Sequence, residues 1–246
     1  MVASPGEPSP DRAAAKGAEH ARRTTKALLA DPEKRVLTWI AARLPRWVLP
    51  DHLSLLALVG AAMIAACYML SNIRAGWLWG ANFGLFVHWL GDSLDGTLAR
   101  HRKIERPKYG FYVDHLADAL ATVAIGVGLG VSPFMLLSVG FGIVIGYLVL
   151  SINVYLETIV RGQFRFGYGV IGPTEARILL ILLNTIAVFT PPLDFSVTFF
   201  GRTVGLTFFD VLGTLGALGM ILMLARRAIR NLRELAQLEP ANRRRE

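Results

Sequence analysis

Residues 91–120 read GDSLDGTLARHRKIERPKYGFYVDHLADAL, a stretch with four aspartates set between two long apolar blocks. Asp92 and Asp95 stand at i and i+3, and Asp114 and Asp118 at i and i+4. On a helix each pair falls within about 60° of arc, so each pair occupies one face. The segment between the pairs is short, which predicts two antiparallel neighbouring helices. Counted at the helical rise, Asp92 lies roughly 22 Å along its helix from Trp77, and Asp118 about 10 Å in from Phe111 on the return. All four carboxylates are therefore expected to converge at one level.

That convergence is costly inside a membrane. One carboxylate at the centre of a transmembrane helix costs at least about 2.5–3.5 kcal/mol, so four cost on the order of 10 kcal/mol before repulsion is counted. Arg100 alone does not neutralise four charges, whereas two divalent cations do. All-oxygen ligands at this spacing suit Mg²⁺, Mn²⁺ or Ca²⁺ rather than zinc or copper. The competing reading is a water-filled vestibule whose acids pair with Arg100, Arg102 and Lys103. Gly96, Ala99 and Gly110 lie close to the acids in the chain and leave room for a flat ring or a diphosphate against the backbone. Arg100 can grip phosphate oxygens with two parallel donors.

Working outward, the chain of 246 residues is 53% hydrophobic and only 18% charged, with mean hydropathy +0.46. Its apolar residues fall into blocks of roughly 20, the length a helix needs to cross the hydrocarbon core. Six spans are predicted, near Leu53–Leu70, Trp77–Leu98, Phe111–Leu129, Phe134–Ile159, Thr174–Val188 and Phe208–Leu224. The loops near 71–76, 130–133 and 189–207 carry only Arg74 and Arg202 of the 26 Lys and Arg residues. Every second connection is thus basic, and the positive-inside rule puts both termini in the cytoplasm. The expected fold is an all-α integral membrane protein of six transmembrane helices. The expected location is a bacterial cell membrane, with the aspartates facing the cytoplasm.

Residues 1–30 are rich in Ala, Pro, Ser and charge and lack an apolar signal-peptide core, so they are expected to form a mobile cytoplasmic tail. Residues 33–48 alternate basic and bulky groups, including Trp39 and Trp47, as in an amphipathic helix lying at the interface. The membrane domain is expected over 31–235, followed by a basic tail at 236–246. The single cysteine, Cys67, excludes an intrachain disulfide framework and a cysteine-based zinc site. The net charge of +8 flanks the spans rather than forming a stripe, which points to the bilayer as partner and not to nucleic acid. Small-residue spacings at Gly142/Gly146 and Gly213/Gly216/Gly219 permit close helix approach, and a homodimer is compatible with them.

The pattern Asp92-x-x-Asp95-Gly96-x-x-Ala99-Arg100, nine residues, Gly110-x-x-x-Asp114-x-x-x-Asp118 resembles the signature of the CDP-alcohol phosphotransferase family. All eight positions match, at a chance frequency of about one in 10¹⁰ per starting residue if all residue types were equally common. The six-span layout and preceding interfacial helix are similar to that family as well. The resemblance implies transfer of a substituted phosphoryl group from a CDP-linked donor to an alcohol acceptor, with release of CMP. It implies metal ligands at Asp92, Asp95 and Asp114, with Asp118 as general base and a further metal contact. It also implies that Asp95, Gly96, Ala99, Arg100 and Gly110 line the CDP pocket, with two Mg²⁺ or Mn²⁺ ions as cofactor. The physics agrees: cations stabilise the departing CMP and a carboxylate takes the acceptor proton.

Outside the motif, the loop 161–177 supplies the acceptor-site candidates Arg161, Glu175 and Arg177, although Gly172-Pro173-Thr174-Glu175 is equally an ordinary helix-start signal. Glu157 and Asn153 either face the pocket or tie neighbouring helices. His88, one turn before Asp92, either orients that carboxylate or packs. The Asp114-His115 pair resembles the aminoalcohol branch of the family. The expected donor is CDP-diacylglycerol with a water-soluble alcohol acceptor. The alternative is a CDP-amino alcohol with diacylglycerol, and a non-enzymatic cation transporter is a more remote reading.

Overall fold

The computed structural model describes residues 30–161, 172–190, 195–199 and 201–239. The expected N-terminal tail, most of the acceptor loop and the last residues of the basic tail lie outside these. Seven long helices appear in order among the described residues: α1 (Ala30–Ala41), α2 (Pro50–Leu70), α3 (Leu78–Arg102), α4 (Pro107–Val131), α5 (Leu137–Arg161), α6 (Pro173–Phe189) and α7 (Phe208–Leu238). Helices α2 to α7 fall on the six expected apolar blocks. Four of them, α2, α4, α5 and α7, are long and apolar enough to cross a membrane. Helix α3 carries Asp92, Asp95, Arg100 and Arg102 in its last three turns, and α6 has 17 residues. Large apolar side chains such as Leu55, Phe83, Leu215 and Leu222 stand exposed on these helices. Surface of that kind needs a lipid solvent. The chain is an integral membrane protein.

One element is not helical. The connection between α6 and α7 carries an antiparallel hairpin, β1 (Phe195–Phe199) with β2 (Arg202–Leu206), in which Val197 faces Val204. Its turn includes Gly201 at φ +74°, a conformation glycine adopts without a Cβ penalty. Apolar residues at every second position, Phe195, Val197 and Phe199 in one strand and Val204 and Leu206 in the other, carry the period-2 signal.

Each helix packs on the next in the spatial order α6, α3, α2, α4, α5, α7, while α1 lies on α3. The two aspartate helices are therefore not packed against each other as expected. Helix α2 lies against both, because glycines let it approach each closely. A Cβ on Gly91 would stand 2.5 Å from the Ala57 nitrogen and the Leu53 oxygen, and one on Gly128 would stand 2.6 Å from the Ala65 Cα. Gly142 and Gly146 face Ala217 and Met220 of α7, so this spacing serves packing within the chain.

Two apolar clusters hold the bundle. One gathers Ile64, Tyr68, Leu78, Leu85, Leu129, Phe134, Leu183 and Phe209. The other joins Leu37 and Ala41 of α1 to Val48, Leu53, Leu94 and Leu98, and so ties the interfacial helix to the aspartate end of α3. Arg102 reinforces this end by donating to the carbonyls of Leu44 (2.9 Å), Pro45 (2.8 Å), Arg46 (3.4 Å) and Val48 (2.5 Å). Lys103 closes α3 in a left-handed cap at φ 58°. Arg106, ahead of α4, pairs with Asp51 at the start of α2, and the carboxylate holds the guanidinium's pKa above its ordinary value. Arg102 is thus a backbone latch rather than a counterion for the aspartates.

Candidate active site

Asp92 and Asp95 ride the last turns of α3, and Asp114 and Asp118 the first turns of α4. All four are partly buried. Asp95 lies within electrostatic reach of both Asp92 and Asp114, so acids of α3 and α4 stand near one another. Its carboxylate accepts a hydrogen bond from the Ser54 hydroxyl of α2 at 2.6 Å and another from the Gly96 backbone N–H. Asp114 and Asp118 both act on Tyr155 of α5. Helices α2, α3, α4 and α5 thus each supply a side chain to one region.

The donor set suits a hard divalent cation: carboxylates from two helices, partly withdrawn from water, repelling one another. Among the described residues, no three His, Cys, Asp or Glu side chains are gathered around a common point. Asp92 is turned instead toward Arg177 of α6, at 2.6 Å, and Asp95 toward Ser54. The chemistry of the residues fits the ion; their side chains are here engaged with protein donors.

Arg177 is the one acceptor-loop candidate that joins the aspartates. The sequence argument gave it to the acceptor, assigned Arg100 to the phosphates of the donor, and left the charge of the aspartates to divalent cations. Arg100 is exposed, bonds Thr97 Oγ1 at 3.3 Å, and lays its guanidinium over Gly96, where a Cβ would stand 3.2 Å from Nη1. The space beside Gly96 is therefore filled by Arg100 itself. Beside Gly110 it is open. Ala99 is partly buried between them in sequence order.

Glu175 accepts from the Gly172 N–H at 3.0 Å, closing the first turn of α6. This is the helix-start role of the Gly-Pro-Thr-Glu sequence. Arg161 ends α5, and its side chain lies outside the described residues. Glu157 is buried and pairs with Arg227 (3.0 Å) and Arg230 (3.7 Å) of α7. It ties two helices. His88 is buried against the close α2 crossing, makes no hydrogen bond to Asp92, and leaves its Nδ1 without a partner. It packs rather than orients.

His115 stacks on Phe111 (4.0 Å between centroids) and meets the edge of Tyr155 (5.1 Å). Its Nδ1 lies 2.7 Å from the Phe111 carbonyl oxygen and 3.5 Å from Asp114. The ring, though one residue on from Asp114 and so about 100° around the helix, lies beside that carboxylate. Ser54, Tyr155 and Glu33 are site neighbours the sequence argument did not assign. Ser54 stands in the first turns of α2, just after Pro50 at the helix start. Glu33 and Tyr155 carried no spacing signal, since each reaches the site from a distant helix.

The chain is similar to "Cholinephosphotransferase 1" of Gallus gallus, 30% identical over 71% of this chain and 54% of that protein. It is similar to the proteins of the same name of Danio rerio (27%, covering 67% and 44%) and Homo sapiens (29%, covering 66% and 41%). The chain spans about half the length of the curated relatives it matches. The family model described as CDP-alcohol phosphatidyltransferase matches residues 47–225. With that match running from the approach to α2 into α7 and containing all four aspartates, the chain belongs to the CDP-alcohol phosphatidyltransferase family.

Proposed function

We propose that this protein transfers a phospho-amino alcohol from a CDP-amino alcohol to diacylglycerol, releasing CMP. Family membership makes the chain a transferase of phosphate-bearing groups, and the family depends generally on divalent cations. The observation that carries the finer reading is the agreement of the named relatives, all cholinephosphotransferases. The Asp114-His115 pair supports the same branch. This reverses the preference drawn from the sequence, which set CDP-diacylglycerol first as donor.

In this reading Asp92, Asp95, Asp114 and Asp118 hold the metal, for which Mg²⁺ or Mn²⁺ suits the ligands. Bound there, the ions would offset diphosphate charge as it grows on the departing CMP. Arg100 grips phosphate oxygens once swung from Gly96, and Gly96, Ala99 and Gly110 border the nucleotide. Asp118 takes the proton of the acceptor hydroxyl as its oxygen attacks the phosphorus bearing the amino alcohol. A P–O bond forms to the acceptor, and the bond to the CMP oxygen breaks. Arg177 holds Asp92 on the α6 side, and Arg161 and Glu175 border the acceptor. Helices α2 to α7 are read as six spans with both termini and the aspartates cytoplasmic.

The test is CMP release by purified protein with Mg²⁺, comparing CDP-choline plus diacylglycerol against CDP-diacylglycerol plus serine, glycerol phosphate or inositol phosphate. Turnover with the first pair is expected. Turnover only with the second returns the donor to CDP-diacylglycerol. Divalent-cation transport without CMP release removes the enzyme reading altogether.

A further inference from the structure

Glu33 of α1 is a carboxylate that family membership does not explain, since it precedes the matched region. Its Oε1 accepts from Trp89 Nε1 (2.7 Å) and Ser93 Oγ (3.3 Å) of α3. Thr174 Oγ1 of α6 lies 3.1 Å from both Glu33 oxygens. Trp89 stands three residues before Asp92 and Ser93 one after it, while Thr174 stands three residues before Arg177. One side chain from the interfacial helix therefore grips α3 and α6 within a turn of their Asp92–Arg177 pair.

The other polar ties between these two helices are Asn184 to Asn82 (2.9 Å) and Asn82 to Thr185 (3.2 Å), two to three turns further along each helix. At the aspartate end, the Asp92–Arg177 pair and Glu33 do this work. Between α3 and α6 lies a cavity of about 230 Å³, lined by apolar Leu85, Phe86, Ile178 and Ile181 and by Trp89, Thr174 and Arg177, which carry polar atoms. Its lining is mostly apolar, as the chain of a lipid substrate requires, and Arg177 links it to Asp92. Two of the three polar-tipped lining residues are the ones Glu33 holds.

We infer that Glu33 is a positioning residue: it straps α1 across the α3–α6 seam and fixes the cavity through which the lipid substrate reaches Asp92. The inference rests on the proposed lipid phosphotransfer. Charge-assisted acceptance of an indole N–H and a threonine hydroxyl holds both side chains in one rotamer. Without the acceptor, these donors lose their partner, and at the aspartate end the Asp92–Arg177 pair is the polar tie left between the two helices.

The experiment uses the full chain in detergent with diacylglycerol and CDP-choline as the varied substrates. Glu33→Ala is expected to raise the KM for diacylglycerol about tenfold while the KM for the CDP donor stays within about twofold. Glu33→Gln retains Oε1 and should restore most of the loss, and Lys34→Ala, on the exposed face of α1, should match the parent. Equal KM rises for both substrates, no change, or failure of Glu33→Gln to rescue would overturn the assignment. A second readout needs no turnover. With Cys67 replaced by Ala, Glu33→Cys and Thr174→Cys should be joined by a short bis-maleimide. A cross-link, beside a parent protein that releases no CMP from either donor type, sinks the enzymatic reading and leaves the strap standing. No cross-link, beside an active parent, sinks the strap alone.

Discussion

Arg177 and Asp92, separated by 85 positions in the chain, meet at 2.6 Å across the seam between α6 and α3. Both side chains are largely withdrawn from solvent, at 15% and 22% relative exposure. At such a site removal of one partner strands the other charge, a larger loss than for a surface pair. The pair also occupies a carboxylate that the metal reading needs, so Arg177 and the cation compete for Asp92. Arg177→Ala is therefore expected to lower kcat/KM at least about tenfold while Mn²⁺ affinity, read by electron paramagnetic resonance, does not fall. Arg177→Lys should recover only part, because an ammonium lacks the planar fork. A parallel loss of Mn²⁺ binding in Arg177→Ala would show instead that the arginine supports the metal site.

Ser54 makes a milder prediction. Its hydroxyl fixes one oxygen of Asp95 at 2.6 Å. A hydrogen bond to a charged group contributes about 1.5–3 kcal/mol. Ser54→Ala should therefore raise the Mg²⁺ concentration for half-maximal turnover about tenfold or more, with kcat at saturating Mg²⁺ nearly unchanged. An unchanged Mg²⁺ dependence would separate Ser54 from the metal site.

The close crossing of α2 and α3 should be the part of the fold least tolerant of added volume. At Gly91 the obstruction is backbone, the Ala57 nitrogen and Leu53 oxygen at 2.5 Å, and backbone does not rotate out of the way. Gly91→Val is expected to destabilise the bundle by more than about 3 kcal/mol, beyond the usual cost of overpacking. Gly219→Val, where a Cβ meets open space, should leave stability near the parent's. Thermal unfolding of both variants in one detergent decides this, and equal midpoints would contradict the packing argument.

What the sequence disclosed and what it did not follow from the range of each signal. Helix positions were readable because apolar blocks and basic loops are local patterns, and helices α2 to α7 lie on the six expected blocks. Asp92, Asp95, Asp114 and Asp118 were readable because helical periodicity puts each pair on one face. The neighbour relations were not, because chain proximity of α3 and α4 suggested contact, whereas Gly91 and Gly128 bring α2 against both. The roles of the arginines were likewise hidden. Arg100, Arg102 and Arg177 carry the same charge, and only their reach separates an arm laid over Gly96, a latch on four carbonyls and an ion pair with Asp92. The hairpin at 195–206 was overlooked since the apolar-block reading searches for spans of about 20 residues, and a strand needs about five.

The proposed orientation has a direct check. With Cys67 replaced by Ala and single cysteines at positions 74 and 104, a membrane-impermeant maleimide applied to intact cells should label only position 74. Ile104 follows the Lys103 cap and is exposed, as is Arg74 before α3. Both sites are therefore reactive once the reagent reaches their side. Labelling of 104 but not 74 would invert the protein in the membrane.

The contrast between Asp118 and Asp92 tests the proposed chemistry most closely. Asp118 lies on α4, in electrostatic reach of Tyr155, whereas Asp92 lies on α3 against Arg177. If Asp118 takes the acceptor proton, Asp118→Asn keeps the side chain's size and removes the accepting carboxylate. Turnover should then fall at least about a hundredfold, within the usual contribution of general-base catalysis. Affinity for the CDP donor should fall far less, because three carboxylates and Arg100 remain. Asp92→Asn should lose metal-dependent donor binding together with turnover, and it also leaves Arg177 without its partner, so its unfolding midpoint should drop. Donor binding measured by isothermal titration in Mg²⁺, beside CMP release, distinguishes the two. Near-normal turnover in Asp118→Asn would place the base elsewhere, and His115, 3.5 Å from Asp114, is the neighbour to test next. Loss of donor binding in Asp118→Asn as complete as in Asp92→Asn would make Asp118 a metal ligand first and leave the proton's acceptor to be found.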